Sequence, residues 1–156
     1  MDSVYVESMF KNNTGLVTKA ISDIPADQWT RQPGDGSNHL LWILGHMVWA
    51  RGNALRTMGS SWSLPWAKQF ARGTARGDAS QYPQVEEVVK AWGTASEELA
   101  ATLPRIQPAL WEQPHDPPTF DGKVAGFIAF LAFHETYHVG QIGYLRKWLG
   151  HSALVD

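Results

Sequence analysis

Residues 121–150, DGKVAGFIAFLAFHETYHVGQIGYLRKWLG, read as a single helix. Asp121 stands where an N-cap belongs, Gly150 where a left-handed terminator belongs, and the face Phe127, Leu131, His134, His138, Leu145, Trp148 is predicted to point inward. The segment sets two questions. A helix with so apolar a stripe needs partners to bury it, and two histidines on that stripe need something to satisfy them.

The partners lie upstream. A first helix is predicted from about Ser3 to Ile24, with Tyr5, Met9, Leu16, Val17, Ala20, Ile21 and Ile24 on one side and Asn12, Asn13 and Gly15 weakening its middle. After the turn chemistry of Arg31 to Gly36, Ser37 or Asn38 can cap a second helix running to about Met58, which Gly59 ends. That helix is apolar almost all the way round between Leu40 and Ala50, as a helix deep in a core should be. A third is predicted from about Pro83 to Leu103, with Val85, Val88, Val89, Trp92, Leu99 and Leu103 at helical spacing and Pro104 stopping it. No period-two strand competes, so the fold class is all-α and the architecture a four-helix bundle.

Residues 59–82 form a long connection between the second and third helices, rich in Gly and Ser, with Pro65 placed to open a short helical turn. A flexible linker would explain its length. Trp62, Trp66 and Phe70 argue instead for a loop packed back onto the body, where these rings serve as packing or roof a site. The chain carries eight tryptophans in all, which packing explains without invoking a ligand.

At 156 residues the chain fits one domain spanning 1–156. Net charge is −2 with Lys and Arg scattered, so the basic footprint of a nucleic-acid binder is missing. No stretch reaches the about 18 apolar residues of a membrane span, and MDSVYVESMF has no basic leader or signal-length apolar run, which makes a cytoplasmic location the expectation. Cysteine is absent. That removes disulfides and thiolate ligands, and any thiol in a reaction must arrive as a small molecule.

His134-Glu135-x-x-His138 is the helical pair of zinc peptidases, and its two rings project from adjacent turns. The extended form HExxHxxGxxH fails, because Gln141 and Tyr144 occupy the later positions. A downstream glutamate ligand fails too, since the only carboxylate side chain after His138 is Asp156. The third ligand must come from upstream, and His46, inside LLWILGHMVWA, is the best candidate: a neutral ring among Leu, Ile, Met and Val is poorly placed without a partner. Core histidines paired with carbonyls would account for the same residues. Three imidazoles from two facing helices would instead form a His₃ site with one open position. His39 serves as a helix cap or as a support for the site, while His115 and His151 fall in turn-rich or terminal segments expected to be solvated.

The chain resembles the DinB/YfiT-like family of metalloenzymes. The resemblance rests on Trp42 to His46 in WILGH, on HETYHVGQ followed by YLRKWLG, and on IPADQW after the first helix, and it covers nearly the whole chain. It implies a four-helix bundle, commonly a homodimer, that holds a divalent metal through His46, His134 and His138. It also implies thiol-dependent chemistry, transferring or isomerising small substrates with glutathione, mycothiol or bacillithiol, and no DNA binding. The leading expectation is accordingly an S-transferase acting on small electrophiles, with a low-molecular-weight thiol as cosubstrate and zinc first, nickel second, as the metal. Glu135 is a candidate base or hydrogen-bond acceptor, although at about 100° from His134 around the helix it can equally face a neighbouring helix. Gln141 shares the histidine face and can orient His138 or a bound water. The alternatives are a hydrolase using metal-bound hydroxide with Glu135 as base, and a metal-binding bundle with no catalytic activity.

Overall fold

The computed structural model describes residues 3–74 and 77–155; Asp156 lies outside them. Among the described residues five α-helices form: α1 (Val4–Ile21), α2 (Leu40–Thr57), α3 (Val85–Thr102), the single turn α4 (Pro108–Trp111) and α5 (Val124–Trp148). The four long ones make the bundle, with α2 packed on both α3 and α5 and α1 on α5. Among the described residues no helix is long and apolar enough to cross a membrane.

Helix α2 is buried on nearly every side, from Leu40 through Leu55, and so occupies the centre of the molecule. Its N-cap is His39 rather than Ser37 or Asn38. His39 Nδ1 accepts the Trp42 N–H at 3.1 Å, which satisfies a first-turn donor in the way a Ser or Asn oxygen would. Gly59 and Gly150 do end α2 and α5. Both adopt positive φ (86° and 93°), and each is followed by a residue whose N–H returns to a carbonyl five positions back, closing the turn that only a residue without Cβ makes freely.

The inward face of α1 is the predicted one at Val17, Ala20 and Ile21, and is offset by one residue in the first two turns, where Val6 and Phe10 replace Tyr5 and Met9. Val6, Phe10, Asn13, Val17, Ala20 and Ile21 are buried, while Tyr5 is 77% exposed and Met9 lies at the surface. Asn13 belongs to the buried set because its amide bonds to Thr136 Oγ1 at 3.1 Å and to the Ala132 carbonyl at 3.4 Å on α5. The polar residue that weakens the helix locally ties it to its neighbour. Trp148, expected inside, is 39% exposed with the Arg31 guanidinium 5.5 Å from its ring centre.

Asp121 acts two residues before the cap position Lys123. Its carboxylate accepts the N–H groups of Lys123 (2.9 Å) and Gly126 (3.1 Å). A Cβ on Gly126 would fall 2.1 Å from that oxygen, so the glycine is what lets the carboxylate reach the first turn. At the other end Arg146 gathers the Ala20 and Ser152 carbonyls and the Asp23 carboxylate, fastening α5 to the end of α1.

The long connection is packed onto the body. Pro65 opens a 3₁₀ turn, Pro65–Phe70, and Phe70 is completely buried. Its ring lies against Gly45, where a Cβ would meet it at 2.5 Å, and stacks on Tyr82 at 4.9 Å.

Candidate metal centre

The same contact that buries Phe70 prepares the site. With its ring seated on Gly45, the Phe70 carbonyl lies 2.7 Å from His46 Nδ1, on the next residue of α2. His46 therefore donates its Nδ1–H to that oxygen and turns the lone pair of Nε2 the other way. The ring is fixed on both faces, stacked 4.9 Å from Trp42 and 5.3 Å from Trp49. None of this depends on α5.

Helix α5 brings the other two rings. His138 Nδ1 is 2.7 Å from Gln141 Oε1, one turn on. An amide oxygen only accepts, so His138 also carries its proton on Nδ1 and presents a bare Nε2. The amide end of Gln141 donates to the Tyr137 hydroxyl at 3.0 Å. His134 stands between the other two: its Nε2 is 3.2 Å from that of His46 and 3.0 Å from that of His138.

Three Nε2 atoms converging this closely is an unstable arrangement for imidazoles alone. Two of them are lone pairs, and the third ring can supply at most one proton for both. Its own Nδ1 is buried and, among the described residues, has no hydrogen-bond partner. A tetrahedral cation with bonds of about 2.0–2.1 Å to nitrogen sets its ligand nitrogens about 3.3 Å apart, close to the separations seen. The donor set therefore fits a divalent cation, and His46, His134 and His138 are the group among the described residues whose ligand atoms can share one.

The electrostatics agree. Burial holds His134 and His138 down to about 4, helped for His134 by the neighbouring histidines and Arg72 and opposed for His138 by its bond to Gln141. His46 is lowered too, by burial against the pull of the Phe70 carbonyl. All three rings are neutral near pH 7, the form that binds metals.

The site opens into a cavity of about 480 Å³ whose walls include Trp42, Trp49, Phe127, Phe130, Tyr137 and Gln141. Trp62, Trp66 and Phe70 are not part of that wall. Phe70 packs beneath it, and the two tryptophans rest against the core. The loop contributes Arg72 and Gly73 to the cavity instead.

A family model described as the DinB superfamily matches residues 9–142. The chain belongs to the DinB superfamily. No curated protein matches it. In this DinB-superfamily chain the pair on α5 and the single histidine on α2 sit 88 residues apart in sequence and meet at one point, as the family resemblance implied.

Glu135 goes elsewhere. It is buried, and both its oxygens bind Arg51, at 2.7 Å to Nε and 2.8 Å to an Nη. Of the two orientations open to it, the structure adopts the one facing a neighbouring helix, and Glu135 is not among the residues lining the cavity. His39 caps α2 and does not line the cavity. His115 is half-buried and stacked 3.9 Å from Phe127, and His151 bonds to Gln28 at 2.9 Å, so neither is a freely solvated ring.

Three parts of the site have little sequence signature. The Phe70 ligand to His46 is a main-chain carbonyl, signalled only by the unusual Gly45 beside a histidine in a helix interior. Arg51 announces itself as a charge in an apolar helix. Arg72 lies in a turn and carries no signal.

Proposed function

We propose that this protein is a divalent-metal-dependent transferase that joins a low-molecular-weight thiol to a small electrophile, with zinc first and nickel second as the metal. One observation carries the reading: the Nε2 atoms of three neutral imidazoles converge on one point in a cavity of about 480 Å³ whose lining, among the described residues, includes no carboxylate.

A divalent cation held by His46, His134 and His138 would supply the positive charge that lowers the pKa of a sulfur ligand toward neutrality. The chain does the rest. Phe70 O and Gln141 Oε1 keep the protons of His46 and His138 on Nδ1, so Nε2 stays available. The aromatic walls exclude water and seat an apolar electrophile. The thiol proton leaves to solvent, the sulfur–carbon bond forms, and the leaving group departs with its electron pair.

Hydrolysis asks for more than this site offers, because a water nucleophile is usually helped by a positioned base and Glu135 is committed to Arg51. A thiol, several units more acidic than water, needs no such base. The test is turnover of a generic electrophile, 1-chloro-2,4-dinitrobenzene, across a panel of thiols that includes glutathione, using metal-analysed protein. Thiol-dependent turnover that chelation abolishes while the helical circular-dichroism signal persists is expected. Thiol-independent ester hydrolysis by the same metal-loaded protein would replace this reading with the hydrolytic one.

A further inference from the structure

We propose that the metal cavity receives a ligand bearing a carboxylate, which Arg72 holds at the rim. The inference rests on reading the cavity as a small-molecule site and narrows the class of molecule that enters it.

Arg72 is the one charged side chain among the described residues that line the cavity; the remaining polar positions are neutral amides, a phenol and the histidines. Among the described residues its guanidinium makes no hydrogen bond or ion pair, in contrast with Arg51 and Arg146, each held by a carboxylate. Its position is set by the site itself. Arg72 follows two residues after Phe70, whose carbonyl is bound to His46, and its charge is near enough to help depress both His46 and His134. A second donor without an acceptor lies in the same wall: the Trp42 indole N–H is buried and has no partner among the described residues.

These features describe a cavity that is cationic before any metal enters and more so afterwards, with no acid among its described lining residues to balance it. A ligand that spans the cavity gains affinity by bringing negative charge to Arg72. A guanidinium presents parallel N–H groups matched to the two oxygens of a carboxylate, and an aromatic surround strengthens the pairing by displacing water. One guanidinium balances one carboxylate. In the metal-free cavity a phosphate dianion would leave a charge facing apolar walls, with no second side-chain cation lining the cavity among the described residues. The carboxylate can sit on the thiol or on the molecule it attacks, and the chemistry at Arg72 is the same.

Calorimetric titration of the full chain, metal-free and zinc-loaded, separates these sources. Phenylacetate against phenylacetamide forms the non-thiol pair, and 3-mercaptopropionate against 3-mercaptopropionamide the thiol pair. In the metal-free protein the acid of at least one pair is expected to bind about tenfold more tightly than its amide, and the pair that shows the preference identifies the carrier. Arg72→Gln should erase the preference and Arg72→Lys keep part of it. Arg72 is exposed in a turn, so both variants are expected to fold, and circular dichroism is the check. Equal affinity for acid and amide, or a preference that survives in Arg72→Gln, overturns the proposal. The metal-free arm needs no turnover. A carboxylate preference in a protein inactive with every thiol leaves Arg72 in place and ends the transferase reading, while thiol-dependent turnover without the preference does the reverse.

Discussion

The Arg51 guanidinium and the Glu135 carboxylate meet at 2.7 and 2.8 Å inside the bundle, on the two helices that supply the three converging histidines. Glu135 follows His134 directly, and Arg51 comes five residues after His46. The pair therefore fixes the register of α2 against α5 beside the point where the three rings converge. Arg51 also donates to Thr14 Oγ1 on α1 (2.9 Å) and to Ser96 Oγ on α3, and lies 3.6 Å from the centre of the Trp92 ring. One side chain thus touches all four long helices.

Removing one partner of a buried ion pair strands the other. Glu135→Ala is expected to lower unfolding free energy by about 3–5 kcal/mol, because Arg51 is left charged and unpaired in the core. Urea denaturation of the metal-free protein measures it. Were Glu135 instead a base acting on substrate, the substitution would leave the urea midpoint unchanged and reduce only turnover.

The histidine cluster makes metal-free stability depend on pH. His134 and His138 titrate at about 4 in the fold and near the ordinary histidine value of 6.5 when unfolded. Between those values the unfolded chain binds more protons, so stability is complete above about 6.5 and falls as pH drops toward 4. Thermal melts of metal-free protein from pH 7.5 to 4.5 should show a steadily falling midpoint, and His134→Gln should flatten the slope.

The helices were legible because each repeats its apolar positions at helical spacing, and the histidine pair because HExxH places two rings on one face. What escaped were contacts whose partner is distant or is main chain. The first two turns of α1 were misplaced by one residue because Tyr5 and Met9 look apolar, while one residue that belongs inside is the polar Asn13, whose amide bonds to α5. The orientation of Glu135 depended on an arginine 84 positions away. The oxygen that orients His46 belongs to a backbone, which no side-chain pattern reveals.

Gly45 tests that last contact. Alanine is the better helix former, so Gly45→Ala should preserve or raise helix content. Its Cβ nevertheless falls 2.5 Å from the Phe70 ring, which has to move and take its carbonyl away from His46. Losing the acceptor that sets a ligand's tautomer typically weakens metal binding about 10–100-fold. Competition against a chromophoric zinc chelator should show a loss of that size with unchanged circular dichroism. Undiminished affinity would mean that the Phe70 carbonyl does not set the His46 ring.

Chelation separates a site that holds the fold from one that uses it. Apolar packing surrounds the histidines: Leu44, Met47, Val48 and Ile142 are fully buried, and Arg51 joins the four helices independently of the rings. Metal binding to the folded chain alone adds stability by mass action, about 2.7 kcal/mol at a hundredfold excess over Kd. Removing zinc with a chelator should therefore lower the melting midpoint while leaving the helical signal at 20 °C intact. Loss of that signal would make the cation part of the fold, as in small zinc domains, and would favour a structural site over the transferase.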